Sequence, residues 1–227
     1  IVLDLDGDGL ELTNVVVSRV NFDQDSDGEA DPTGWVGADD GLLVIDHNGN
    51  GVIDNGGEIA FSNHVDFAVS DLEGLRAYDT NANGVIDAGD AEFAALNVWQ
   101  DANQDGVSQA SELTTLAQRN IASIGLTLTP TVQGLIAPLD NVVYGTGAYV
   151  RTDGSVGTVG DVMLAYVDAS LEVLIDADAP APTSGTLAPI VLDLDGDGVA
   201  LVERDASMVA FDANGDGTRE RTGWFSA

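Results

Sequence analysis

The sequence predicts an α+β fold in which short β-strands and hairpins surround a central helix-loop-helix pair. Three observations carry that expectation: Asp/Gly turns punctuate short β-branched segments on either side of the centre, helical spacing of apolar residues is confined to the middle, and the opening segment recurs near the end. Residues 1–60 read as strands such as 9–17, 35–36 and 42–45, separated by turns. Ser70-Asp-Leu-Glu73 has the form of a helix capping box, and Leu72, Leu75 and Tyr78 follow at helical spacing. Phe93 with Leu96, and Leu113 with Leu116, predict a second and a third helix, the third ending near Asn120. From Ile121 to Val173 the β pattern returns, with Tyr149 to Gly154 entering a hairpin through Asp-Gly.

The recurring segment sets the domain organisation. Ile1 to Gly9 reappears unchanged as Ile190 to Gly198, and nineteen of the first 36 positions are identical at a constant offset of 189. This predicts a domain over residues 1–175, an Ala/Pro-rich linker over 176–189 and a truncated start of a second copy over 190–227. At 227 residues and 44% apolar, the chain can bury real cores.

Charge and composition narrow the function. Thirty-nine acids face seven bases, all Arg, for a net charge of −32, so nucleic acids and anionic membrane surfaces are excluded as partners and cations are favoured. The absence of Cys and Lys removes disulfides, thiolate metal sites, Cys nucleophiles, Schiff-base chemistry and a phosphate-binding P-loop lysine. No apolar run approaches the ~18 residues of a membrane span, so no membrane insertion is expected. Neither a Gly-x-Ser-x-Gly elbow nor a His-Glu-x-x-His helix is present, and no enzyme activity is expected of these residues.

The acids are 30 Asp to 9 Glu, clustered with Asn and Gly. Short oxygen ligands at loop positions 1, 3, 5, 7, 9 and 12, with Gly at position 6, are what an EF-hand-like loop needs to hold Ca2+. Asp101, Asn103, Asp105, the Val107 carbonyl, Gln109 and Glu112 fit at full length. So do Asp79, Asn81, Asn83, the Val85 carbonyl, Asp87 and Asp90, with the shorter Asp in last place. Asp46, Asn48, Asn50, Val52, Asp54 and Glu58 form a 13-residue variant. Asp23, Asp25, Asp27 and Asp31 supply part of a loop, with Asp39 or Asp40 expected to complete it. Asp4, Asp6 and Asp8 are shorter still. The second copy repeats the partial types at Asp193, Asp195 and Asp197, and at Asp212, Asn214, Asp216, Thr218 and Glu220. The two full loops are expected to lie between helices, forming the EF-hand-like pair at the centre of the α+β fold. Bidentate Glu112 ranks loop 101–112 above loop 79–90 in calcium affinity. His47 and His64 read as surface imidazoles, and Trp35, Trp99 and Trp224 as core anchors.

Residues 3–9, Thr33 to Val44, the Asn-Gly-Asn-Gly51 loop and Val98 to Leu113 closely resemble the self-processing module of Frp-type RTX proteins, over roughly residues 1–168. The resemblance implies a calcium-folded module of a large protein secreted by a type I system, which promotes cleavage of an Asp-Pro bond just before it and transfer of the Asp to a Lys. This chain departs from that pattern. Ala188-Pro189 precedes the second copy, no Lys is present, and Asp31-Pro32 lies within a loop. The expectation is therefore a calcium-binding, calcium-stabilised module of a secreted or cell-surface RTX-like protein, with neighbouring modules or a cell-surface molecule as partners. Two readings compete with it: an autoprocessing module whose scissile bond lies upstream of Ile1, and a halophilic acidic domain without specific metal.

Overall fold

A computed structural model of the chain describes residues 1–68, 70–131 and 140–168, together with four short strands near the end. The chain divides into two units, Ile1–Leu171 and Glu172–Ala227. The first unit is mostly β. Its strands in chain order are β1 (Val2–Leu3), β2 (Leu12–Thr13), β3 (Asn21–Phe22), β4 (Asp31–Pro32), β5 (Trp35–Val36), β6 (Gly41–Ile45), β7 (Val85–Asp87), β8 (Leu96–Trp99), β9 (Leu113–Thr115), β10 (Ile121–Gly125), β11 (Thr129–Pro130), β12 (Val142–Arg151) and β13 (Val156–Met163). Nine of them form one sheet in the order β7-β10-β12-β13-β1-β6-β8-β9, with β11 also pairing β12. Every pairing within it is antiparallel.

Within this sheet β6 is buried on both faces, which explains its continuous apolar run. Leu43 and Ile45 point into one core with Ile1, Leu3, Phe61, Leu72, Leu75, Ile86, Leu96 and Val98. Leu42 and Val44 point into the other with Val2, Phe22, Trp35, Ile53 and Trp99. This is the period-2 alternation of a pleated strand with no wet side. The long β12–β13 hairpin turns at Asp153-Gly154 as its sequence requires. Gly154 sits at φ +85, and its N–H donates to the Arg151 carbonyl at 2.9 Å.

The expected central helix-loop-helix pair is not there, and the α+β expectation is corrected to a mainly β fold. Among the described residues the only α-helix is α1, Asp71–Leu75, continued by a 3-10 turn, Arg76–Tyr78. Its capping box forms as read, the Ser70 side chain accepting the Glu73 N–H at 3.4 Å. The second and third predicted helices are instead β8 and β9, paired from Asn97 to Thr115 through Trp99 to Leu113. Phe93–Leu96 and Leu113–Leu116 are three residues apart, but each pair spans a turn and a strand end. The alternation Leu96, Val98 on one face and Trp99 on the other, with β-branched Thr114 and Thr115, favours strands.

Gly74 permits α1 to lie against the Phe61 backbone, since a Cβ there would collide with the Phe61 carbonyl. An alanine ordinarily favours a helix, but here the obstacle is backbone and cannot rotate away. Gly74→Ala is expected to destabilise the unit by about 1–3 kcal/mol, read from urea unfolding; unchanged or increased stability would contradict this packing.

In the second unit, β14 (Leu201–Val202) pairs β17 (Trp224–Phe225), and β15 (Ala210–Phe211) pairs β16 (Glu220–Arg221). These are the β2–β5 and β3–β4 pairings of the first unit shifted by the 189-residue repeat, down to the register Leu12↔Val36 and Leu201↔Phe225. Asp193, Asp195, Asp197, Asp212, Asn214, Asp216 and Thr218 lie outside the described residues, and of Glu220 only the strand backbone is described.

Candidate metal centres

Four loops of the first unit share one backbone design. The first Asp of each accepts two amide N–H groups with its two oxygens, those of loop positions 5 and 6. Asp23 accepts from Asp27 and Gly28, Asp46 from Asn50 and Gly51, Asp79 from Asn83 and Gly84, and Asp101 from Asp105 and Gly106, all at 2.8–3.2 Å. The side chain at position 3 accepts the N–H of position 5, and that at position 5 accepts the N–H of position 7. Position 6 has positive φ in every case, from +70 at Gly106 to +95 at Gly28, which is why Gly recurs there. Gly106 is doubly constrained, because a Cβ would meet Val20 Cγ1 at 2.6 Å and the Asn21 carbonyl at 2.7 Å.

The two full loops and the 13-residue variant close alike. The N–H of Asp54 donates to Glu58 at 2.9 Å, that of Asp87 to Asp90 at 2.9 Å, and that of Gln109 to Glu112 at 3.4 Å. In loop 46–58 the closing carboxylate is 1% exposed, and its Oε1 is buried with no hydrogen-bond partner among the described residues. Burial pushes the Glu58 carboxyl above its ordinary range, and Asp54 and Asp46 add to this. Asp90 is held below the carboxylate range by the N–H groups of Asp87, Asn81 and Thr80. Within each loop an amide N–H bridges acidic positions: Asn50 to Asp54, Asn83 to Asp87, and Asn103 to Asp105.

The setting of these loops differs from the helix-flanked one expected. Loop 101–112 replaces the turn of the β8–β9 hairpin. Loop 79–90 follows the 3-10 turn of α1 and contributes its positions 7–9 as β7, paired to β10. The tryptophans do more than fill the core. Trp35 and Trp99 are fully buried, with ring centroids 5.4 Å apart, and their indole N–H groups donate to Asp101 at 2.9 Å and to Glu112 at 3.4 Å. His64, expected as a plain surface imidazole, is half-buried. It hydrogen-bonds the Gly57 carbonyl through Nε2 and the Tyr78 hydroxyl through Nδ1, both at 2.7 Å, beside Phe61 and stacked on His47. That network fixes the backbone just before Glu58.

The partial loops are completed by residues that the spacing does not disclose. Carboxylate oxygens of Asp23, Asp25 and Asp27 lie within 4.8 Å of one another, as do those of Asp25, Asp31 and Asp168. Asp168 is carried there by the chain after β13, whose Val167 N–H donates to the Pro32 carbonyl at 2.9 Å. Asp39, expected in this group, stands instead with Asp4, Asp6, Asp8 and Glu11, because the β2–β5 pairing folds residues 37–40 back over the opening segment. Asp40 is fully buried and accepts the N–H groups of Leu5 and Glu11.

The SPM domain family matches residues 1–165 and 190–227. The chain belongs to this family. The SPM chain is also 43% identical over 170 residues to Iron-regulated protein FrpA of Neisseria meningitidis serogroup C, an alignment that covers 73% of this chain and 15% of that protein. It thus spans a small part of that curated relative's length.

The opening acidic group of this SPM domain is electrostatically loaded. Repulsion from Asp6 raises the Asp8 carboxyl, and a hydrogen bond to Asp39 together with repulsion from Asp39 and Asp8 pushes Glu11 up to about 7. A carboxyl raised by folding stabilises the fold below its unfolded value near 4.5 and loses that contribution as pH rises through 7. In chelator, the domain is therefore expected to melt lower as pH rises from 5 to 7, and Glu11→Gln to flatten that slope. A slope unchanged by Glu11→Gln, in melting curves across this range, would contradict the assignment.

Proposed function

We propose that this chain is a calcium-binding, calcium-stabilised extracellular module of a repetitive RTX-type protein, with a structural or interaction role. The observation that carries this reading is Glu58. A buried carboxylate oxygen without a partner is costly unless a cation meets it, and the oxygens of Asp46, Asn48, Asn50, Val52 and Asp54 belong to the same loop. The donor set is oxygen only, which suits a hard cation, and six or more ligands on a flexible loop favour Ca2+ over Mg2+. In this reading the amides of Asn50, Asn83 and Asn103 turn to present oxygen in place of N–H. Loops 46–58, 79–90 and 101–112 hold the strongest sites, and the groups around Asp4 and Asp25 hold weaker ones, Asp168 serving with Asp25 and Asp31. Secretion and a cell-surface setting follow from the same reading, because millimolar calcium is an extracellular condition.

Calorimetry on the full chain tests it. At least three Ca2+ are expected to bind, with millimolar Mg2+ competing poorly, and Glu58→Gln is expected to remove one ion from the stoichiometry. Absence of binding, or equal affinity for both metals, would overturn the proposal.

A further inference from the structure

Loops 46–58 and 101–112 meet at equivalent positions. Ile53 and Ser108 are each the eighth residue of their loop, and the Ile53 N–H donates to Ser108 Oγ at 2.7 Å in a buried setting. Ile53 is 2% exposed and Ser108 6%. Each is flanked by ligand positions: the Val52 carbonyl and Asp54 on one side of the contact, the Val107 carbonyl and Gln109 on the other. A second contact runs through β3. Gly106 backs onto Val20 and the Asn21 carbonyl, and two residues further on the Asp23 carbonyl accepts the Gly56 N–H at 2.7 Å. Residues of both loops and of β3 line one cleft of about 490 Å3.

We propose that Ser108 couples these two loops, so that they bind calcium cooperatively; the inference rests on the calcium reading above. A cation in loop 101–112 takes the Val107 carbonyl and the Gln109 side chain, which fixes residues 107–109 and the Ser108 hydroxyl with them. The hydroxyl holds the Ile53 N–H, so the Val52 carbonyl and Asp54 are set for the second cation before it arrives. The ordering cost of the shared segment is incurred once, and the second ion meets a loop already in its binding conformation. Linkage makes the effect reciprocal: each loop must raise the affinity of the other by the same factor.

Trp35 and Trp99 allow a direct test, because their indole N–H groups donate to ligand residues of loop 101–112. In the full chain carrying Trp224→Phe, calcium titration of the remaining tryptophan fluorescence reads the affinity of that loop. Glu58→Gln, in the other loop, is expected to weaken it about tenfold. In Ser108→Ala the same Glu58→Gln change is expected to alter it less than twofold, while Ser108→Thr, which keeps the hydroxyl, preserves the tenfold effect. The reciprocal measurement needs no change at Ser108: Glu112→Gln must weaken calcium binding at loop 46–58, followed by the Gly51 amide resonance, by the same factor. Equal affinities with and without Glu58→Gln, or unequal reciprocal factors, overturn the coupling while leaving calcium binding intact. A chain showing no calcium response in either signal overturns the calcium reading and the coupling together.

Discussion

In millimolar calcium the chain is expected to melt about 15–30 °C higher than in chelator. A site saturated a hundredfold above its dissociation constant stabilises the folded state by about 2.7 kcal/mol, so three such loops contribute about 8 kcal/mol, comparable with the whole net stability of a domain. In a chain of this size each kcal/mol moves the midpoint by about 2–4 °C. The acidic design points the same way. The Asp4–Asp6–Asp8 and Asp23–Asp25–Asp27 carboxylates converge within 4.8 Å, and their mutual repulsion opposes folding until a cation screens it. Melting curves by circular dichroism in calcium, in chelator and in chelator with molar sodium chloride separate the possibilities. A chain equally stable in the first two has no structural calcium, and one rescued equally by salt is a halophilic acidic domain.

Glu112→Gln and Asp90→Asn are expected to fail in different ways. Among the described residues the Glu112 carboxylate makes only long 3.4 Å hydrogen bonds, to Trp99 and Gln109, so it contributes little to the metal-free loop and is available to give two oxygens to a cation. Its neutralisation should cost loop 101–112 at least tenfold in calcium affinity, with metal-free stability within about 0.5 kcal/mol of the parent. Asp90 already accepts the N–H groups of Thr80, Asn81 and Asp87 and the Thr80 hydroxyl. An amide there turns an N–H toward donors, so Asp90→Asn should lose about 1.5–3 kcal/mol even in chelator. It should lose less calcium affinity than Glu112→Gln. Paired chelator melts and calcium titrations decide this, and a larger affinity loss in the Asp90 variant reverses the ranking.

The turns of these loops were legible in the sequence because their hydrogen bonding is local. Asp101 reaches the N–H groups of Asp105 and Gly106 within five residues, so spacing alone specifies the turn. What flanks the loops was not legible. Phe93/Leu96 and Leu113/Leu116 copy a helical interval, yet tertiary pairing of β8 with β6 and β9 overrides the local spacing. The outer carboxylates were hidden for a related reason. Asp168 comes to Asp31 through backbone bonds at Pro32 and Gly34, and Asp39 comes to Glu11 through the β2–β5 pairing. None of these contacts leaves a periodic trace. Trp35 and Trp99 were read correctly as core residues, while the Trp224 side chain lies outside the described residues; an indole N–H aimed at a loop carboxylate has no signature in composition.

The position of β1 in the sheet bears on the order in which the molecule can be assembled. Its two residues pair with β6 on one side and with β13 on the other, Val2 facing both Leu42 and Gly160. A chain emerging from its amino end can pair this strand with β6 early but must leave its other edge open until residue 160 has appeared. The longest loop closure falls at the last step, so the topology predicts slow completion of the sheet. The hairpins on either side, β6–β8–β9 and β12–β13, can pair earlier, but they become one sheet only when β1 is clamped between them. If ions must also gather the carboxylates, compaction waits on two conditions, completion of the chain and arrival where calcium is plentiful.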